Sequence, residues 1–192
     1  MKYDPHKHHR RSIRLKGYDY HQPGAYFVTI VTYQRAPLFG EINGGVMHLN
    51  RFGEIVRQVW LDLPRHYPYT VLDAFTIMPN HVHGILVLGE ETGRGGSVSG
   101  KGSGVVNTLS GKPTLPDTDQ TYPYLPEIVR ALKSFSARRI NQIRKMESTP
   151  VWQRNYYEHI IRNEREYLQI KRYIQDNPLQ WENDLENPAR GR

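Results

Sequence analysis

His81 and His83 are separated by a single residue at the start of the run HVHGILVL. In an extended strand alternate side chains share a face, so this spacing turns both imidazoles one way and Val82 the other. Two adjacent imidazoles on a rigid element can hold a divalent cation. They can equally be two ordinary histidines on a half-exposed strand, and the spacing alone does not choose. The chain has 13 tyrosines, so tyrosine as such carries no signal. Spacing does separate them. Residues at i and i+4 share a helix face, and Tyr173 is followed there by Asn177, whereas Tyr156 is followed by Ile160, Tyr157 by Ile161 and Tyr167 by Lys171. An amide oxygen at 177 would complete a His-His-Asn set with the Tyr173 hydroxyl aimed at the same point. The plainer reading is a packing tyrosine and a helix-terminal asparagine before Pro178.

Elements able to position these groups can be read along the chain. AYFVTIVTY, from Ala25 to Tyr33, is a strand of β-branched and aromatic residues. Asn43-Gly44 marks a tight turn between LFGEI and GVMHL. Asn50 caps a helix reaching about His66, with Pro64 threatening its end. Val71–Ile77 and Val82–Leu88 are further strands. Leu125 to Met146 is an amphipathic helix whose stripe is Leu125, Ile128, Val129, Leu132, Phe135, Ile140 and Ile143. Tyr156 to Arg162 is the last strand. Asn163 with Glu166 starts a helix running to about Asp176 and stopping near Pro178. This order predicts an α+β sandwich in one domain over residues 25–180. A basic arm (residues 1–24) precedes it and a tail (181–192) follows. A Gly/Ser-rich insertion at about 89–123 lacks the GxxxxGK[ST] pattern of a phosphate-binding loop.

The absence of cysteine excludes disulfides and thiolate ligands, so any metal must be held by His, Asp, Glu, Asn or Gln. No apolar run has the length of a membrane span, and the basic, polar start does not read as a signal peptide. A cytoplasmic protein is expected. The net charge of +7 is concentrated in two places. Lys2, Lys7, Arg10, Arg11, Arg14 and Lys16 face one acid, Asp4. Arg130, Lys133, Arg138, Arg139, Arg144 and Lys145 lie in a stretch without acids. Such patches suit a polyanion such as nucleic acid, or are simply solvated.

Together, MPNHVHGI, KSFSARRI and VWQRNYYEHIIRNEREYLQIKRYIQDNP resemble the single-tyrosine HUH transposases, and among them the REP-associated tyrosine transposases of bacteria. The likeness runs from IRLKGYDYHQPGAYFVTIVTYQRAPLFG to NPLQW. It implies a ferredoxin-like antiparallel sheet with helices on one face and a C-terminal helix carrying the catalytic tyrosine. It implies His81, His83 and Asn177 as ligands of Mg²⁺ or Mn²⁺ and Tyr173 as nucleophile. The implied reaction is cleavage and rejoining of single-stranded DNA at REP-like hairpins through a 5′-phosphotyrosine link, in a cytoplasmic, nucleoid-associated setting without a membrane partner. Monomer and homodimer both stay open. Arg10, Arg11, Arg14, Lys16, Arg130, Lys133, Arg138 and Arg139 are the expected phosphate contacts, and Trp152 and Tyr156 are candidates for base stacking. Glu158 and His159 lie near in sequence, without a clear claim to act as a base.

Two other readings share parts of this pattern. A domesticated hairpin-binding protein without strand transfer would not need the full set of His81, His83, Tyr173 and Asn177. A nuclease using water would need the metal but not Tyr173. The arm is expected to add affinity rather than chemistry. Deleting residues 1–16 should weaken single-strand binding and flatten its log–log salt dependence by about 0.7 for each phosphate no longer neutralised, while saturating DNA restores the cleavage rate. An unchanged salt slope in a filter-binding titration would make the arm a solvated tail.

Overall fold

A computed structural model of the chain describes residues 22–89 and 125–190. The basic arm and nearly all of the Gly/Ser-rich insertion lie outside these residues. Strand β1 (Gly24–Val31) is followed by a hairpin, β2 (Gly40–Asn43) and β3 (Val46–Leu49), then α1 (Arg51–His66), β4 (Thr70–Ile77), β5 (His81–Leu88), α2 (Leu125–Arg144), β6 (Tyr157–Ile161) and α3 (Glu164–Asp176). Four strands form one antiparallel sheet in the order β4-β5-β1-β6, and β2-β3 stand apart as a two-stranded ribbon. The protein is therefore α+β, as expected. No helix among the described residues is long and apolar enough to cross a membrane.

Local chemistry accounts for most element boundaries. The hairpin turn falls on Gly44 and Gly45, with φ of 58° and 77°, one residue later than Asn43-Gly44 suggested. A two-residue turn of this hand needs φ > 0 at both central positions, and only the two glycines take that without cost. Asn50 accepts hydrogen bonds from the N–H groups of Phe52 and Gly53 at 2.8 and 3.1 Å, a cap worth about 1 kcal/mol. Pro64 does not stop α1. It sits in the last turn, and the helix closes with Tyr67 N–H donating to Leu63 O at 2.9 Å. Nor does Pro178 end the chain's helical course. A 3₁₀ segment, Asn177–Asn183, follows α3 directly, with Pro178 in its first turn, where a missing N–H costs nothing.

The sheet carries two unequal layers. Tyr26, Val28, Ile30, Val82, Leu86 and Leu88 point to α1 and α2 and meet Val56, Val59, Trp60, Leu63, Ile128 and Leu132 in the main core. Phe27 and Ile85 point the other way and meet Ile174 of α3, with Tyr167 and Ile170 alongside. In α2 the expected stripe needs one correction. Phe135 is 39% exposed, with its ring against His66 and Arg138. The sheet-facing position is taken by Ser136, which donates to Leu132 O at 2.6 Å and accepts from Trp152 Nε1 at 2.9 Å. The i, i+4 ladder 128-132-136-140 sets the buried line, and the small hydroxyl fits because a tryptophan must approach there.

Gly84 marks a close approach of α1 to β5. A Cβ at this position would fall 2.4 Å from the Trp60 ring, and that ring is itself stacked on Phe75 at 5.5 Å. Gly84→Ala should therefore lower stability by about 1–3 kcal/mol, read as an earlier urea midpoint with an unchanged m-value. An unshifted midpoint would show that Trp60 can move aside.

Candidate active site

β5 opens with the two histidines, and β-alternation places both on the α3 side of the sheet, fully enclosed. Their Nε2 atoms are 3.0 Å apart. The orientation of His81 is set from behind. Asn80 Nδ2 donates to the backbone carbonyls of Arg35 and Glu186 at 3.1 and 2.7 Å. This leaves its Oδ1 to accept from His81 Nδ1 at 2.8 Å. His81 thus carries its proton on Nδ1 and presents a bare Nε2, the arrangement that metal-binding histidines need. His83 Nδ1 lies 2.8 Å from Thr29 Oγ1 on the paired residue of β1. A hydroxyl turns to donate or accept, so His83 can present Nε2 with or without its proton. Phe27 stacks on the His83 ring at 5.4 Å and forms the floor.

Helix α3 delivers Tyr173. Its seat is made by Ile170 and Ile174 against the sheet and by Asp73 of β4. That carboxylate accepts from the Tyr167 hydroxyl and from Lys171 Nζ at 3.0 Å. Burial works against ionisation of Asp73, but these two donors outweigh it and leave its pKa below the ordinary value. Tyr173 Oη then comes to 3.2 Å from His83 Nε2. Its ring is 46% exposed. Partial burial and then the charge of Asp184 raise its pKa, against a lowering contribution from Asn177.

Asn177 is buried at the junction of α3 and the 3₁₀ segment. Its Nδ2 donates to Asp184 Oδ2 at 3.0 Å, while its buried Oδ1 has no hydrogen-bond partner among the described residues. Asp184 was not anticipated from sequence. It lies in the stretch read as a tail, which instead folds back beneath the histidines. Asp184 is only 7% exposed and its Oδ1 accepts from Glu186 N–H at 2.6 Å, while Glu186 pairs with Arg35 at 2.7 Å. Ligand atoms of His81, His83 and Asp184 all fall within 4.8 Å of one another. Two imidazole nitrogens and a carboxylate converge in one buried spot, and the amide that holds the carboxylate leaves its own oxygen unpartnered, a donor set that fits a divalent cation.

The remaining candidates disperse. Arg10, Arg11, Arg14 and Lys16 lie outside the described residues. Arg130, Arg138 and Arg139 are exposed on α2, which the sheet separates from the histidines. Lys133 is turned inward. Its Nζ donates to the carbonyls of Gln153 and Arg154 at 2.6 and 3.0 Å, and burial lowers its pKa to about 8. Trp152 is a core residue. His159 is engaged by Glu166 at 2.6 Å, and Glu158 is buried.

Burial holds both histidines neutral. Desolvation is the largest effect on each. In His81 it is opposed by Asp184, Glu186 and Asn177, yet its pKa still falls to about 4. In His83 the neighbouring His81 adds to the depression. An unfolded imidazole takes up its proton near pH 6.5, so between there and about pH 4 the unfolded chain binds more protons than the folded one. Metal-free protein should lose stability as the pH falls through this window, and His81→Gln should make the loss shallower. Urea titrations at a series of pH values check this. A flat profile would mean that these imidazoles are not kept neutral by their burial.

No family model matches the chain. A Haemophilus influenzae protein of uncharacterized function is 42% identical over 183 residues, covering 95% of this chain and 96% of that one. A second protein of that organism, provisionally named a REP-associated tyrosine transposase, is 25% identical over 167 residues, covering 84% and 73%. A solved structure of a REP-associated tyrosine transposase bound to a REP hairpin superposes with a TM-score of 0.52 at 19% identity, covering 87% of this chain and 74% of that one, which establishes the likeness of fold. The first match puts this chain and the uncharacterized Haemophilus influenzae protein in one family, and the other two show that the chain is similar in sequence and in fold to REP-associated tyrosine transposases.

Proposed function

We propose that the chain is a single-tyrosine DNA strand transferase of the HUH type that cleaves and rejoins single-stranded DNA beside hairpins. The fold is then a ferredoxin-like sheet with α3 as the catalytic helix. The observation that carries this reading is the approach of Tyr173 Oη to 3.2 Å from His83 Nε2, itself 3.0 Å from His81 Nε2. A phenol seldom ends beside two buried neutral imidazoles for packing alone, since its partly exposed ring gains little burial there. The likeness to REP-associated tyrosine transposases and the hairpin held by the structurally similar one support a hairpin substrate.

His81 and His83 would hold the cation through Nε2, with Asn177 Oδ1 as an oxygen donor. A bound Mg²⁺ or Mn²⁺ supplies the positive charge that offsets and orients a non-bridging oxygen of the scissile phosphate. Tyr173 Oη attacks phosphorus, the 3′-oxygen leaves, and the 5′-phosphate stays joined to the tyrosine. Because the link retains the energy of the broken bond, a second 3′-OH can reverse the step. The raised pKa of Tyr173 makes its ionisation the demanding part, and its half-exposed ring gives the proton a path to solvent. The exposed arginines of α2 would bind phosphate at a distance from the reaction, on DNA that passes the edge of the sheet.

Incubation of the chain with a labelled hairpin oligonucleotide and Mn²⁺ should leave label on the protein in a denaturing gel. Tyr173→Phe should remove that adduct while single-strand affinity stays within about threefold. Tyr157→Phe should retain it. Cleavage that survives Tyr173→Phe without any adduct would point to a water-using nuclease and sink the assignment.

A further inference from the structure

Two imidazoles and an amide carry no charge, yet hard divalent cations prefer anionic oxygen. The described residues contain one carboxylate at this spot. Asp184 Oδ2 is 3.9 Å from His81 Nε2 and accepts one hydrogen bond, from Asn177 Nδ2 at 3.0 Å. A carboxylate oxygen has a second lone pair, and Oδ1 is already engaged by Glu186 N–H. Within 4.0 Å, the group's ion-pair partner among the described residues is His81, a buried ring whose Nδ1 proton is committed to Asn80 and whose Nε2 is bare. An enclosed carboxylate without a compensating cation is costly.

The same hydrogen bond settles the amide of Asn177. With Nδ2 held by Asp184, Oδ1 is the amide atom left for another partner, and it is buried and unpartnered. If Asp184 served only to tie the 3₁₀ segment to α3, nothing would require it to sit against the histidine pair, nor the amide oxygen to be left without a donor.

We infer that Asp184 is the anionic ligand of the metal centre, binding through Oδ2, and that it also fixes Asn177 so that the amide oxygen, not the amide nitrogen, faces the cation. This rests on the reading of His81 and His83 as metal ligands. It brings an anionic oxygen to the centre from the segment after α3, outside the HxH strand and the tyrosine helix. A His-His-Asp set with an added amide oxygen should favour Mn²⁺ and Mg²⁺ more than a neutral set would.

The test uses the full chain, stripped of metal and titrated with Mn²⁺, following free Mn²⁺ by its EPR signal. Asp184→Asn preserves shape and removes the charge. It should weaken Mn²⁺ binding by roughly 10–100-fold while the melting temperature of the metal-free protein stays close to wild type. A residue that only braced the fold would do the opposite, lowering that melting temperature and leaving Mn²⁺ affinity unchanged. His81→Ala separates the two levels of the argument. If it abolishes binding and Asp184→Asn does not weaken it, the inference about Asp184 fails alone. If both variants bind Mn²⁺ like wild type, the metal centre itself is misread. Should Asp184→Asn not fold, wild-type protein carrying ¹³C-carboxyl aspartate and Mn²⁺ gives the answer by ENDOR: a strong ¹³C coupling supports ligation, and its absence overturns it.

Discussion

Two imidazole nitrogens facing each other at 3.0 Å inside a protein are a constraint on everything around them. Two bare lone pairs repel at that distance and a proton on His83 Nε2 makes the contact a hydrogen bond, so the partner on the far side of each ring decides which holds. For His81 the hold is Asn80, whose own amide is fixed by two backbone carbonyls, so that a proton on one nitrogen is dictated by peptide groups from a loop and from the C-terminal segment. For His83 it is Thr29, across the β1–β5 pair. A hydroxyl is the less rigid partner, and it lets one ring change tautomer while the other cannot.

The rest of the molecule can be understood as support for that pair. The main core, built by α1 and α2 on one face, makes the sheet stiff. The thinner layer under α3 leaves room for the tyrosine. Asp73 anchors α3 at Tyr167 and Lys171, both ahead of Tyr173 in the helix, so Tyr173 is positioned by contacts away from the histidines. The C-terminal segment closes the back through Asp184 and Glu186. Electrostatics follow from this layering. Burial depresses the pKa of each histidine and raises that of the tyrosine, so all three resist ionisation.

Features governed by short-range rules were legible in the sequence. Strand alternation put His81 and His83 on one face, Asn50 and Asn163 capped their helices, and glycine placed the hairpin turn to within a residue. The i, i+4 step brought Tyr173 and Asn177 to the same end of α3, although whether they serve the histidines as nucleophile and ligand is a matter of chemistry rather than periodicity. Asp184 was not legible, because nothing in LENPAR or WEND distinguishes a buried carboxylate from a solvated one, and its position depends on a 3₁₀ turn that Pro178 permits instead of a stop. Asn80 was not legible for the same reason: its partners are carbonyls 45 and 106 residues away. Lys133 showed the limit of charge as a guide. The face of a helix says which way a lysine leaves the backbone, but a flexible stem can still carry its ammonium back onto carbonyls.

β5 has its histidines at one end and Gly89 just past the other. Its eight residues separate the two by about 23 Å of extended chain. The described chain therefore leaves the sheet at the end of β5 opposite the histidines, and it resumes at Leu125, whose side chain is in the core.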